Sequence, residues 1–158
     1  MFNKKNAIML VFSIGVCFLA AVIGSLFTFS SIPTWYATLN KPFFTPPGWL
    51  FGPAWTLLYI LMGISLYLVI KDGFTKKSSN AVTYFWVQLM LNALWSVIFF
   101  GLKSPLFALV EIILLWTAIF MTIKKFYPIS KTAAWLLIPY ICWVSFAAVL
   151  NFAIFLLN

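Results

Sequence analysis

Two spacings in this chain could assemble a chemical site. Gln88, Asn92 and Ser96 recur at i, i+4 and i+8 with Trp95 beside them, so a helix would gather three polar groups and an indole into one stripe. Pro139, Trp143, Ala147 and Asn151 repeat the four-residue step, which sets a large aromatic over a small residue and shapes a slot. Amides in an apolar setting must face protein or water, so the stripes mark either a binding site or hydrogen-bonded contacts between helices. The chemistry open to them is narrow. There is no His and no Arg, and the acids are Asp72 and Glu111 alone. Ser-His-Asp and Cys-His catalysis, imidazole metal sites and an imidazole haem ligand are therefore excluded. Two carboxylates far apart in sequence do not make an acid/base pair.

The elements that must position these residues are membrane spans. Of 158 residues, 65% are hydrophobic and 8% charged, with mean hydropathy +1.08, which cannot make a water-facing surface. About 20 apolar residues cross a bilayer core, and five stretches qualify: Ala7 to Phe29, Gly52 to Ile70, Val82 to Leu102, Pro105 to Ile123 and Ala133 to Leu156. The fold expected is an all-α integral membrane protein, a bundle of five transmembrane helices forming a single domain over 1–158. Pro53 and Pro105 suit first-turn positions, and Lys103-Ser104 leaves room only for an antiparallel hairpin between the third and fourth spans. The Met1 to Asn6 segment and the run after it are read as a retained span, because that run is too long for a signal peptide.

Charge orients the bundle. The net charge is +8, but its ten lysines are scattered between apolar runs, which argues against a nucleic-acid partner. Lys4, Lys5, Lys71, Lys76, Lys77, Lys124, Lys125 and Lys131 fall on one side of the membrane, with only Lys41 and Lys103 on the other. That asymmetry predicts a cytoplasmic N-terminus and an outside C-terminus. Cys17 and Cys142 lie within apolar runs and read as small hydrophobes.

The connection from Ser30 to Phe51 is too aromatic for a solvated loop. It carries Trp35, Tyr36, Phe43, Phe44, Trp49 and Phe51, while Pro33, Pro42, Pro46 and Pro47 forbid a regular helix. A lid folded back over the bundle outweighs a mere aromatic belt, since a belt does not need four closely placed prolines.

The string W-Y-A-T-L-N-K-P-F-F-T-P-P-G-W-L-F-G-P-A-W, Trp35 to Trp55, resembles the signature of the TspO/MBR family of tryptophan-rich sensory and translocator proteins. The likeness continues through Gln88 to Trp95, Ile98 to Gly101 and Pro139 to Asn151. It implies five helices enclosing a pocket under the first loop that binds porphyrins and related aromatic ligands. By motif position the pocket would include Tyr36, Trp55, Asn92, Trp143 and Ala147, with Trp95 on the same stripe. Trp55 and Trp143 also resemble the tryptophans implicated in light-dependent porphyrin breakdown by bacterial members, a catalytic role that needs no acid or base. The resemblance further implies a bacterial plasma-membrane protein and a homodimer with porphyrin and membrane lipid as partners. No cofactor is required and no metal site is implied. Ala20 and Gly24 would permit close helix packing without identifying an interface.

Three departures are visible. Phe43 stands where the family often has Trp, and Glu111 where Asp is common. The cholesterol-recognition pattern of animal members has no counterpart, since Leu150-Asn151-Phe152 lacks its Tyr and cation; cholesterol is not carried over. Glu111 itself reads as a hydrogen-bonded structural residue in preference to a proton relay. Three functions remain: a porphyrin receptor or sensor, a light-dependent porphyrin-degrading enzyme, and a transporter of porphyrins or other amphiphiles. Binding is favoured, because the chain supplies an aromatic site and no coupling machinery.

Overall fold

The structure is a computed structural model and describes residues 4–158. Among those residues all regular structure is helical, and five helical segments are long and apolar enough to cross a membrane. The expected all-α bundle with a folded lid is what forms.

Helix α1 runs Lys4–Ser31, and the lid contributes one short turn, α2, at Trp35–Thr38. A 3₁₀ turn at Gly48–Leu50 leads into α3, Phe51–Ile70. The lid prolines forbid a long helix but not short turns: the first fits between Pro33 and Pro42, and the second begins after Pro47. Helix α4 spans Lys76–Ser96, so it begins about two turns before the apolar pattern suggests. Its first turns are polar, and a reciprocal Thr75–Ser78 capping box starts it: the Thr75 hydroxyl accepts from the Ser78 N–H at 3.1 Å, and the Ser78 hydroxyl accepts from the Thr75 N–H at 2.8 Å. Helix α5 runs Pro105–Phe126 behind a Ser104 cap. The last span is broken into α6, Lys131–Leu136, and α7, Ile138–Leu157. Pro139 causes the break, since it lacks an N–H and its ring obstructs the preceding turn.

Between α4 and α5 lies a π-helical turn, Val97–Gly101, and the hairpin then reverses through Lys103, whose φ is +53°. The Ser31 hydroxyl donates to the Phe100 carbonyl at 2.8 Å, tying the end of α1 to this turn.

Around the bundle the order is α1, α4, α5, α7 with α6, and α3, which returns to α1. The backbones of α1 and α3 meet closely in the half of the bundle toward the lysine-rich end, where a Cβ on Gly63 would lie 2.5 Å from the Ile14 Cα. Helix α3 also packs on α6 but barely meets α7. The bundle is therefore tight at the lysine-rich end and spread at the lid end.

The lid closes over the spread end. Trp35, Tyr36, Leu39, Phe44 and Phe51 pack against a cluster built on Phe99, Ala108, Leu150 and Ile154. One of the six lid aromatics, Phe43, is 100% exposed and has the outward placement of an aromatic belt, and Trp49 is 73% exposed. The outward Phe43 meets Phe44 edge-on at 5.5 Å. Ala20 and Gly24 are buried inside the bundle, and a Cβ on Gly24 would meet the Ser96 Oγ at 3.0 Å. Their small size serves packing of α1 within this chain.

Candidate functional site

Beneath the lid is a cavity of about 480 Å³ between α1, α3, α4 and α7. Each wall follows from a local rule. On α3, Trp55 and Tyr59 are one turn apart and stack, with centroids at 5.5 Å and ring planes at 30°. On α7, Trp143 and Ala147 occupy successive turns, and the small Ala147 leaves space that the indole bounds. On α4, Asn92, Trp95 and Ser96 face inward, while α1 supplies Ala21, Gly24 and Ser25. The lid adds Tyr36 and Trp49. Thus the structure brings Tyr36, Trp55, Asn92, Trp95, Trp143 and Ala147 together on one cavity.

The polar groups are fixed before any ligand arrives. The Tyr59 hydroxyl donates to the Asn92 Oδ1 at 2.6 Å, and the Asn92 Nδ2 donates to the Tyr140 hydroxyl at 2.9 Å. The Trp95 indole N–H donates to the Asn151 Oδ1 at 3.2 Å, and the Asn151 Nδ2 donates to the Pro105 carbonyl at 2.8 Å. Trp95 is further held by stacking on Phe99 at 4.9 Å. Asn92 and Asn151 therefore link helices, as the hydrogen-bonding reading of the stripes expects, and also line the cavity. Trp143 meets Phe51 edge-on at 6.1 Å and Phe146 at 5.9 Å. Burial pushes the Tyr36 phenol above its ordinary value, so it faces the cavity as a neutral hydroxyl, and the Lys41 ammonium lies 4.8 Å from its ring centre.

Gln88 departs from the expected stripe. It is 1% exposed, lies outside the cavity, and neither atom of its amide has a hydrogen-bond partner among the described residues. Glu111 departs too: it is 4% exposed, and among the described residues both carboxylate oxygens lack the expected hydrogen bond to a neighbouring helix. It also lies outside the cavity.

Several wall residues escaped the sequence reading. Tyr59 could have been found, since it sits four residues after Trp55. Phe18 of α1 and Phe99 of the π-helical turn gave no such sign, because each lies in a uniformly apolar run.

The lid is fastened at its far side. The Asn40 N–H donates to the Asn158 Oδ1 at 2.9 Å, and the Asn158 Nδ2 donates back to the Asn40 carbonyl at 3.0 Å. The Asn40 Nδ2 reaches the Leu157 carbonyl at 3.3 Å. Phe44 lies edge-on to Phe146 at 6.4 Å, adding an aromatic contact between lid and α7.

A five-span bundle with a lid over a tryptophan-lined cavity is accompanied by a decisive sequence match: the profile of the TspO/MBR family covers residues 13–157. The chain belongs to the TspO/MBR family. It is 54% identical to the tryptophan-rich protein TspO of Archaeoglobus fulgidus, over 97% of this chain and 99% of the relative. It is 40% identical to the human translocator protein, over 86% of this chain and 82% of that one. It is 34% identical to the tryptophan-rich sensory protein of Cereibacter sphaeroides, over 99% and 94%. This TspO/MBR chain is thus an integral, multi-pass membrane protein.

Proposed function

We propose that this protein is a membrane receptor or sensor that binds porphyrins and related flat, hydrophobic aromatic molecules in the cavity under the lid. The observation that carries the reading is the placement of Trp55, Trp143 and Ala147 on one roofed cavity of about 480 Å³. A volume of this size is ordinary for small-molecule sites, and aromatic faces around a small-residue slot suit a planar π-system. Lys41, held above Tyr36 at the lid, is a cation that the carboxylates of such a ligand could reach near the headgroup layer. The tightly bonded amides supply rigidity, which lowers the ordering cost of binding.

A second reading has its own support. Neither Trp55 nor Trp143 gives its indole N–H to an acceptor among the described residues, and both face the cavity, so both indoles are open to a bound ring. An indole can donate an electron to an excited porphyrin, with dioxygen from solution as the oxidant that takes up the electrons and breaks the ring down, which would make the protein a light- and oxygen-dependent porphyrin-degrading enzyme.

One experiment addresses both. Purified protein is titrated with protoporphyrin IX by tryptophan quenching in dim light, then illuminated while absorbance and product mass are followed. Saturable quenching supports the receptor; its absence refutes it. If degradation occurs through tryptophan chemistry, Trp143→Phe keeps most of the affinity and loses most of the turnover. Equal bleaching at matched occupancy removes Trp143 from the chemistry.

A further inference from the structure

The cavity is not sealed on all sides: its exposed lining residues all belong to α1 and the residue after it or to the segment 48–56 that enters α3. The α1–α4 seam is closed by contacts that leave no room: a Cβ on Gly24 would meet the Ser96 Oγ at 3.0 Å, one on Gly101 would meet the Phe27 ring at 2.8 Å, and Ser31 is bonded to the Phe100 carbonyl. The lid is clasped to the end of α7 through Asn40 and Asn158. In the half of the bundle toward the lysine-rich end, α1 and α3 are in close contact at Ile14 and Gly63. Toward the lid, a Cβ added to Gly52 would meet nothing within 4 Å, and Gly52 and Thr56 on α3 and Phe29 on α1 are exposed while lining the cavity, with Ser25 of α1 half-buried among them.

The chemistry of this mouth fits hydrocarbon. Its hydroxyls are all turned back to their own helices: Ser25 donates to the Val22 carbonyl at 2.8 Å, Thr28 to the Gly24 carbonyl at 2.9 Å, and Thr56 to the Gly52 carbonyl at 2.9 Å. No unsatisfied hydroxyl therefore faces outward, the condition a lipid-facing surface must meet. Ser25 lies six residues, about 9 Å, below the end of α1, a depth that places the mouth beside acyl chains and below the headgroups.

We propose that the gap between α1 and α3 is a lateral portal, through which ligand dissolved in the bilayer reaches the cavity while the Asn40–Asn158 clasp keeps the lid shut. The proposal names the route to the site described above and rests on that cavity being the binding site. It also identifies the class of ligand the portal admits: molecules that partition into membrane, presented edge-on between two helices.

Two measurements on the full chain in lipid nanodiscs test it. In the first, a phospholipid carrying a diazirine on its acyl chain is photolysed and adducts are mapped by peptide mass. Adducts are expected on cavity-wall Ala21 and Trp55 as well as on lipid-facing Val11. Adducts at Val11 with none at Ala21 or Trp55 would show the gap closed to lipid and overturn the portal. This arm needs no porphyrin, so it stands even if the porphyrin reading fails.

The second measurement loads protoporphyrin IX into the nanodisc lipid and follows tryptophan quenching by stopped flow. Gly52→Phe and Ser25→Phe, which narrow the mouth from opposite lips, are expected to slow association and release together, each by about tenfold. Asn158→Ala, which unfastens the lid, is expected to change neither. Faster association in Asn158→Ala with unchanged rates in both mouth variants would put the route through the lid. A wild-type protein that does not quench at all, yet carries acyl adducts on Ala21 and Trp55, would refute the porphyrin reading and leave the portal in place.

Discussion

The Tyr59 hydroxyl and the Asn92 side chain join α3 to α4 at the edge of the cavity through a 2.6 Å hydrogen bond, and Asn92 passes the link on to Tyr140 of α7. Three helices are thereby held in register by one amide that is 4% exposed. Tyr59→Phe removes the donor and leaves the buried Asn92 Oδ1 unpaired, so it should destabilise the protein by about 1–3 kcal/mol. Thermal unfolding in detergent checks this. An unchanged midpoint would mean that the link does not hold the helices together.

Topology gives the second prediction. Eight lysines lie at one end of the bundle and Lys41 and Lys103 at the other, so the lid should face outward. In a Cys142→Ser background, with Cys17 buried, an impermeant maleimide added to intact cells should label Phe43→Cys and spare Lys76→Cys. The reverse pattern would put the lid in the cytoplasm.

The third concerns metal. The described cavity wall has phenols but no imidazole, thiol or thioether, so an iron porphyrin gains no strong axial ligand there. Free-base protoporphyrin should bind at least as well as haem in the same titration. Haem binding ten or more times tighter, about 1.4 kcal/mol, would contradict stacking as the source of affinity.

The spans were legible because hydropathy is a summed property of many residues, and the lid because four prolines and six aromatics cannot form either a span or a solvated loop. Trp143 and Ala147 were legible because one helical step of four residues advances only about 40° around the axis. The same arithmetic limits the other stripe. Two such steps separate Gln88 from Ser96, about 80° in all, which lets Ser96 reach the cavity while Gln88 turns out of it. The Asn40–Asn158 clasp spans 118 positions and has no local signature. Glu111 looked like a hydrogen-bonding residue because buried carboxyls usually have partners. Among the described residues its two oxygens have none, which only the packed helices reveal.

The slot at Ala147 gives the most direct test of the account. Ala147→Phe fills the space that Trp143 bounds, and overpacking of a tight site costs about 1–3 kcal/mol, or roughly 5- to 150-fold in affinity. Protoporphyrin IX is titrated into wild type and Ala147→Phe with tryptophan fluorescence as the readout. Saturable quenching by one ligand per chain, weakened in the variant by at least fivefold, is the predicted result. Saturable binding of equal strength in both would place the ligand elsewhere, and non-saturable quenching in both would reduce the signal to partitioning into the lipid.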